Sequence, residues 1–113
     1  MTDLADMRFE ELGKDSQPAT PTQRTEYMHQ IPEWQLVEQD GIQRLERAYA
    51  CRDFTAALEF ANQVGTLAEK INHHPTLLVA WGSVTVHWWT HVVGGLHPND
   101  FIAAARTDRL STS

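Results

Sequence analysis

The chain has 113 residues, of which 9 are Lys or Arg and 15 are Asp or Glu, giving a formal net charge of −6. This length suits one domain with a single core, and the negative charge disfavours nucleic acid, whose phosphates would be repelled. No apolar run approaches the roughly 20 residues of a membrane span and the acidic start is unlike a secretory signal, so we expect a cytoplasmic protein. Cys51 is the only cysteine, which excludes an intrachain disulfide.

The first part of the chain differs in composition from the rest. Residues 1–20 contain acids, glycine, proline and a Ser/Thr/Gln cluster with little apolar periodicity. We therefore expect a flexible N-terminal arm followed by a single domain over residues 21–113. The stretch TPTQRTEYMHQIPEW predicts a short helix with Pro21 in its first turn and its end before Pro32.

Two β-strands are predicted after this short helix. They run from residue 34 to residue 38 and from residue 42 to about residue 49, in segments that mix β-branched, aromatic and polar side chains. Asp40 and Gly41 lie between them and are typical of a tight hairpin turn.

The clearest predicted element is a long helix in DFTAALEFANQVGTLAEKIN. Its apolar residues recur at intervals of three and four, which places them on one helical face. Asp53 or Thr55 can cap its start. Pro75 disfavours helical dihedral angles at the residue before it, so the helix should end near Asn72 or His73. The two adjacent histidines are therefore predicted at a helix C terminus.

Two further strands are predicted in TLLVAW and VTVHWWTH, which are separated by Gly82 and Ser83. The second strand would continue to His91 and would place His87 and His91 on the same face. The stretch LHPNDFIAAARTD then predicts a helix with Pro98 in its first turn. This order of elements predicts an α+β fold, in which a four-stranded antiparallel sheet has helices packed on one face, in the order β-β-α-β-β-α after the short N-terminal helix.

The six histidines do not form a recognisable metal-binding pattern. His87 and His91 have the spacing of a helical zinc pair, but four residues of a strand span about 13 Å, too far to share one ion. Cys51 and Ser83 lie outside the sequence signatures of nucleophilic catalysis, and the Gly-Gly pair lacks the spacing of a phosphate loop. We expect no metal site, and the chemistry that remains is proton transfer by histidine.

Several segments together resemble one family. EKINHHP at 69–75 is followed by Trp81, by VTVHWWTH at 84–91 and by a Gly-Leu pair with Asp100 beyond it. With IPEW and YACRDFTAALEFANQV upstream, the likeness covers about residues 30–110. The chain resembles the pterin-4a-carbinolamine dehydratases, and in particular the bacterial members associated with phenylalanine hydroxylase. His-His-Pro alone is a weak signal, whereas its combination with the later Thr-His is specific.

The resemblance implies a dehydratase that converts 4a-hydroxytetrahydropterin to quinonoid dihydropterin and water. It would recycle a tetrahydrobiopterin-type cofactor for an aromatic amino acid hydroxylase, and it would need no cofactor of its own because the pterin is the substrate. The resemblance implies three acid/base residues around the pterin, His73, His74 and His91. Which histidine handles which proton stays open. The substrate contacts that it implies are Glu69, Asn72, Pro75, Thr90 and Trp34.

Some of these residues also have simpler interpretations. Glu69 precedes His73 by four residues, so helical geometry predicts its carboxylate at the same end of the helix. Without the resemblance, His73 and His74 would be interpreted as a solvated helix C terminus favoured by the helix dipole. Asp100 is interpreted as a first-turn helix residue rather than a substrate ligand.

A four-stranded sheet has open edges, which need pairing or protection. The resemblance implies edge-to-edge homodimers, often paired again into homotetramers, and a functional link to phenylalanine hydroxylase. The rival hypothesis is a non-catalytic dimerisation, coactivator or assembly-chaperone module of the same fold. The complete histidine set favours the enzyme, because a scaffold has no need for all three.

Overall fold

The structure, a computed structural model, describes residues 3–111. Within this range the chain forms three α-helices, four β-strands and two single-turn 3₁₀ helices, the latter at Leu4–Asp6 and His91–Val93. None of the helices in this range is both long and apolar enough to cross a membrane. In chain order the main elements are α1 (Pro21–Met28), β1 (Gln35–Gln39), β2 (Ile42–Ala50), α2 (Phe54–Ile71), β3 (Thr76–Ala80), β4 (Ser83–Trp88) and α3 (Pro98–Ser111).

The strands form one antiparallel sheet in the order β1-β2-β4-β3. Asp40 and Gly41 turn the chain between β1 and β2, and their φ angles of 54° and 78° are those of a tight hairpin. Gly82, with a φ of 84°, does the same between β3 and β4. The α+β fold predicted from the sequence is confirmed by this arrangement.

Helices α2 and α3 cover one face of the sheet. Tyr49 of β2 points to that face, where its ring packs on Phe60 of α2 with 4.7 Å between centroids and its hydroxyl donates to Asp108 of α3. Val84 and Val86 of β4 share this face and are fully buried. Burial of each such side chain stabilises the fold by about 1.5–3 kcal/mol.

Helix α2 matches the helix predicted from the apolar spacing. The carboxylate of Asp53 caps its start by accepting a 2.8 Å hydrogen bond from the amide of Ala56. The helix ends at Ile71, and Asn72 takes the left-handed conformation with a φ of 52°. Asparagine tolerates this conformation better than most non-glycine residues. The chain therefore leaves the helix axis just before the two histidines.

Strand β4 is shorter than predicted, because it ends at Trp88 and does not reach His91. Thr90 pairs with Gly95 instead of with a neighbouring strand, and its amide donates to the Gly95 carbonyl at 2.7 Å. The loop between them begins with a 3₁₀ turn and is closed by Gly94, with a φ of 66°. The prediction that His87 and His91 share a sheet face is therefore wrong.

The N-terminal segment, from residue 3 onward, is packed against α3. This differs from the flexible arm predicted for residues 1–20, of which residues 1 and 2 lie outside the described residues. Leu4 is fully buried, and the guanidinium of Arg106 donates to the carbonyls of Ala5 and Met7 at 3.0 and 2.8 Å. Arg106 is 101 positions from Ala5 and 99 positions from Met7 in the chain. Local composition carries no information about contacts at that separation.

Candidate active site

A cleft of about 410 Å³ lies where the end of α2, the start of β3 and the loop after β4 meet. It brings the adjacent His73 and His74 together with His91, which follows β4 in the chain, and all three were predicted as site residues. The complete lining is Leu12, Asn72, His73, His74, Pro75, Thr76, Trp89, Thr90, His91 and Val92. The cleft is therefore lined mainly by the two segments that contain the histidine motifs.

The two adjacent histidines that follow the left-handed Asn72 lie in different environments. His73 turns inward and is 9% exposed, whereas the side chain of His74 is 57% exposed. Pro75 then directs the chain into β3, because its ring favours extended dihedral angles at the residue before it. One imidazole of the pair is thus fixed in the protein interior and the other faces solvent.

The buried His73 is held by Asp100, in the first turn of α3. Nε2 of His73 lies 2.7 Å from Oδ1 of Asp100, which is fully buried. The same carboxylate accepts hydrogen bonds from the Thr90 hydroxyl at 2.7 Å and from the amide of His97 at 2.9 Å. Because the carboxylate accepts from these groups, the third partner, Nε2 of His73, is best assigned as a donor. The other ring nitrogen, Nδ1, is then left for the cleft.

Two aromatic rings fix the plane of the His73 imidazole. The Trp88 indole stacks on it with 5.5 Å between centroids and 13° between planes. Phe9 approaches it at 6.4 Å and a tilt of 53°. Packing of this kind restricts rotation of the imidazole, which favours a single orientation of its nitrogens.

The carboxylate of Glu69 is paired with His74. Nε2 of His74 lies 2.5 Å from Oε2 of Glu69, and the side chain of Glu69 is 77% exposed. The spacing to His73 predicted the Glu69 carboxylate at this end of the helix, and the imidazole that it contacts there is that of His74. An exposed pair of this kind contributes little to stability because water and salt screen it.

His91 begins the 3₁₀ turn after β4 and is exposed. Its ring meets the edge of Trp89 at 5.5 Å and 64°. No carboxylate is paired with it in the part of the chain that the structure describes. The three imidazoles of the cleft therefore have three different environments.

The structure brings most of the other predicted contact residues to this cleft. Asn72, Pro75 and Thr90 line it, and Glu69 adjoins it through His74. Asp100 was not predicted as part of the site, because nothing in the local sequence distinguishes it from an ordinary first-turn acid. Its position 27 residues after His73 becomes informative only once both helices are placed.

Trp34 does not line the cleft. It precedes β1, is 2% exposed, and its indole Nε1 donates to Asp108 at 3.0 Å. The same carboxylate accepts hydrogen bonds from Arg47 and Tyr49. Burial, followed by the bond to this carboxylate, raises the pKa of Tyr49 well above its usual range. Trp34 is thus a core residue that anchors the end of α3.

Groups that could ligate a metal are not clustered. Within residues 3–111, no three side chains of His, Cys, Asp or Glu come close enough together to hold one ion. His73 and His74 point to different environments, and each is paired with a carboxylate of its own. The arrangement is suited to proton transfer by separate imidazoles.

Comparison with known proteins identifies the family. A family model described as pterin 4 alpha carbinolamine dehydratase matches residues 17–110. A relative from Microcystis aeruginosa is 51% identical over 97% of this chain and 95% of its own length. A relative from Syntrophotalea carbinolica is 54% identical over 81% of this chain and 82% of its own length. Both are provisionally named pterin-4-alpha-carbinolamine dehydratases.

A solved structure shares the fold. It comes from Brucella melitensis and is described as a transcriptional coactivator/pterin dehydratase. It superposes with a TM-score of 0.74 at 29% identity, over 82% of this chain and 97% of that one. With the family match over most of its length, the chain belongs to the pterin 4 alpha carbinolamine dehydratase family.

Proposed function

We propose that this chain is a dehydratase that removes water from 4a-hydroxytetrahydropterin by histidine acid/base catalysis. The observation that carries the proposal is the convergence of three imidazoles, His73, His74 and His91, on one cleft. Histidine titrates near neutral pH, so such a cleft can both donate and accept protons under physiological conditions. Membership of the family supports the pterin as substrate.

The reaction makes two demands on the protein. The 4a-hydroxyl must receive a proton so that the C4a–O bond can break and water can leave. The proton on N5 must be accepted so that its electron pair can form the N5=C4a bond of quinonoid dihydropterin. An acid and a base on different sides of the same ring satisfy both demands, and positioned groups of this kind contribute about 10²–10⁴-fold each.

We assign the base to Nδ1 of His73. The carboxylate of Asp100 holds the proton on Nε2, which leaves Nδ1 as an acceptor in the neutral imidazole. The same hydrogen bond to the buried carboxylate holds the ring in one orientation. Stacking on Trp88 keeps the acceptor lone pair in a fixed direction.

We assign the acid to the exposed side of the cleft, where His74 and His91 lie. A residue in contact with solvent is readily reprotonated after each turnover. The carboxylate of Glu69 lies beside His74 and can orient its imidazole, whereas His91 has no carboxylate partner among the described residues. Single substitutions of the two histidines will separate their contributions.

The activity is tested by the rate at which 4a-hydroxytetrahydropterin breaks down when phenylalanine hydroxylase generates it in situ. Wild type is expected to accelerate this breakdown, and His74→Ala to lose about 10²-fold or more of the acceleration. His29→Ala is the matched control, because His29 is exposed at the end of α1 and outside the cleft. Folded wild type that leaves the rate unchanged would refute the proposed function.

In this role the protein would recycle the pterin cofactor of an aromatic amino acid hydroxylase. Such hydroxylases release their cofactor as the 4a-carbinolamine, and the quinonoid product of the dehydratase is the form that a reductase can restore. The substrate is then a small molecule, and the link to phenylalanine hydroxylase is through the shared metabolite.

We also propose that the chain forms homodimers or homotetramers through its sheet edges. Strands β1 and β3 are the edges, and the exposed Leu78 and Trp81 lie in or next to β3, at 65% and 74% exposure. Unpaired backbone and apolar side chains at an edge favour pairing with another copy. Light scattering at micromolar concentration is expected to give a multiple of the 12.8 kDa chain mass, and a monomeric mass would contradict this.

A second candidate function is a protein-binding module. The Brucella melitensis structure is described as a transcriptional coactivator as well as a pterin dehydratase. A pure scaffold would leave the rate of carbinolamine breakdown unchanged and would retain partner binding in His74→Ala. Loss of turnover in that variant would favour the enzyme.

A further inference from the structure

A second cleft adjoins the histidine cleft at His73. Its volume is about 380 Å³, and it shares Leu12, Asn72 and His73 with the histidine cleft. Two glutamates, Glu10 and Glu11, line the second cleft and not the first. A ligand whose reacting ring lies against the histidines therefore has room to extend past His73 into an acidic compartment.

The outer wall of this second cleft is the N-terminal segment, and it is fixed in place. The amide of Glu10 donates to Oδ1 of Asn99 at 3.0 Å, and Nδ2 of Asn99 donates back to the Glu10 carbonyl at 2.9 Å. Asn99 is 1% exposed. The guanidinium of Arg106 lies 4.8 Å from the centroid of the Phe9 ring. A wall held by buried contacts of this kind can position a side chain for binding.

The two glutamates of the wall differ in what they contact. Oε2 of Glu10 lies 3.3 Å from Nε2 of the buried His97, so Glu10 already has a partner. The carboxylate of Glu11 forms no hydrogen bond or ion pair with the residues that the structure describes. Nδ1 of His73 is likewise without a hydrogen-bond partner in residues 3–111 and is not among the buried atoms, so it is accessible from the clefts that His73 lines. These two groups are available to a ligand that spans both clefts.

A pterin has the complementary chemistry. Its 2-amino group and its N3–H form one edge of the pyrimidine ring with two parallel donors, which a carboxylate can accept side by side. C2, which carries the amino group, is opposite C4a across the same ring. When C4a and N5 lie against the histidines, the donor edge therefore points away from them.

We propose that Glu11 binds the 2-amino and N3–H edge of the pterin and makes the site selective for 2-amino pteridines. The proposal rests on the proposed function, because it takes the substrate of the histidine cleft to be a pterin. Glu11 contacts the substrate at a distance from the reacting atoms. It is thus a specificity residue, and its removal raises KM while kcat is retained.

The test compares the binding of pterin with that of lumazine, in which an oxo group replaces the 2-amino group. Dissociation constants are measured by quenching of ligand fluorescence with wild type, Glu11→Gln and Glu38→Gln. Glu38→Gln is the control, since it removes the same charge from an exposed position in β1. Wild type and the control are expected to prefer pterin about tenfold, and Glu11→Gln to lose this preference.

Two results would overturn the proposal, namely no preference in wild type or an undiminished preference in Glu11→Gln. Turnover separates this failure from failure of the proposed function. If wild type is active and Glu11→Gln has the wild-type KM, the role of Glu11 is excluded and the proposed function is retained. Wild type that is inactive but prefers pterin through Glu11 would exclude the dehydratase and leave the binding edge in place.

Discussion

Nε2 of His73 and Oδ1 of Asp100 lie 2.7 Å apart and join the end of α2 to the first turn of α3. Asp100→Asn keeps the shape of the carboxylate but can present an amide N–H to the ring. The imidazole proton would then move to Nδ1, which could no longer accept a proton from the substrate. We expect kcat for dehydration to fall on the order of 10²–10⁴-fold with a smaller change in KM.

Asp108→Asn is the matched control for this variant. Asp108 is also an α3 carboxylate that accepts hydrogen bonds from three side chains, those of Trp34, Arg47 and Tyr49. It lies outside the cleft, so we expect a lower denaturation midpoint with kcat retained. An equal loss of kcat in both variants would indicate that the effect of Asp100→Asn is only structural.

Glu69→Gln is expected to have a small effect. The Glu69 and His74 side chains are 77% and 57% exposed, and such pairs are worth at most about 1 kcal/mol, less at high salt. We predict a fall in kcat of about fivefold or less, diminishing as the ionic strength is raised. Steady-state kinetics at low and high salt measure this. A loss as large as that of Asp100→Asn would instead give Glu69 a direct part in the chemistry.

Asn72 is predicted to stabilise the protein through its backbone conformation. Its φ of 52° costs a residue such as alanine about 1–2 kcal/mol. Asn72→Ala should therefore lower the free energy of unfolding by about 1 kcal/mol in urea titrations, and Asn72→Gly should be nearly neutral. If the Asn72 amide also binds substrate, Asn72→Gly will raise KM at unchanged stability. Equal free energies of unfolding for the alanine and glycine variants would contradict a cost of the left-handed conformation for alanine.

The cap of α2 predicts a dependence of stability on pH. The hydrogen bond from the Ala56 amide holds the pKa of Asp53 below its ordinary 3.8. A carboxyl whose pKa is lower in the folded state stabilises the protein above the pKa of the unfolded chain, and this stabilisation is lost as pH falls through the lowered value. Asp53→Asn keeps a capping side chain without the titration. The advantage of wild type over this variant should thus be present at pH 7 and shrink below about pH 4. Denaturation midpoints at both pH values test this, and a difference independent of pH would count against it.

Leu4→Ala tests the packing of the N-terminal segment. Leu4 is fully buried, so the cavity left by its truncation should cost about 2–5 kcal/mol. Leu58→Ala, at a side chain of α2 that is 45% exposed, is the control and should change stability by about 1 kcal/mol or less. Urea denaturation distinguishes them. A neutral Leu4→Ala would indicate that residues 3–7 do not contribute to the core.

Features set by neighbouring residues could be predicted from the sequence. Helix α2 follows from its apolar spacing and from Asp53 at its start, and the β1-β2 hairpin follows from Asp40 and Gly41. Each depends on dihedral preferences or on periodicity within a few residues. The three histidines of the cleft were found through the resemblance, because their spacing alone favours no particular chemistry.

Features that depend on tertiary placement could not be predicted in this way. The helical spacing predicted Glu69 at the end of α2, but which of the two histidines it contacts depends on the path of the chain after Asn72. Trp34 was expected at the pterin, but it packs on α3 instead. Its partner Asp108 is 74 positions away, so the local sequence does not indicate this contact. The role of Asp100 likewise appears only when two helices meet. Such contacts leave no local pattern in the sequence.

The different exposure of the two histidines after the left-handed Asn72 also provides separate routes for their protons. His73 is buried and lines both clefts, whereas His74 is in contact with bulk water. In the proposed reaction, the proton taken from N5 and the proton given to the departing hydroxyl would not need to pass between these neighbours. Each imidazole could recover its starting protonation state from its own surroundings. The two adjacent residues would then exchange protons independently of each other.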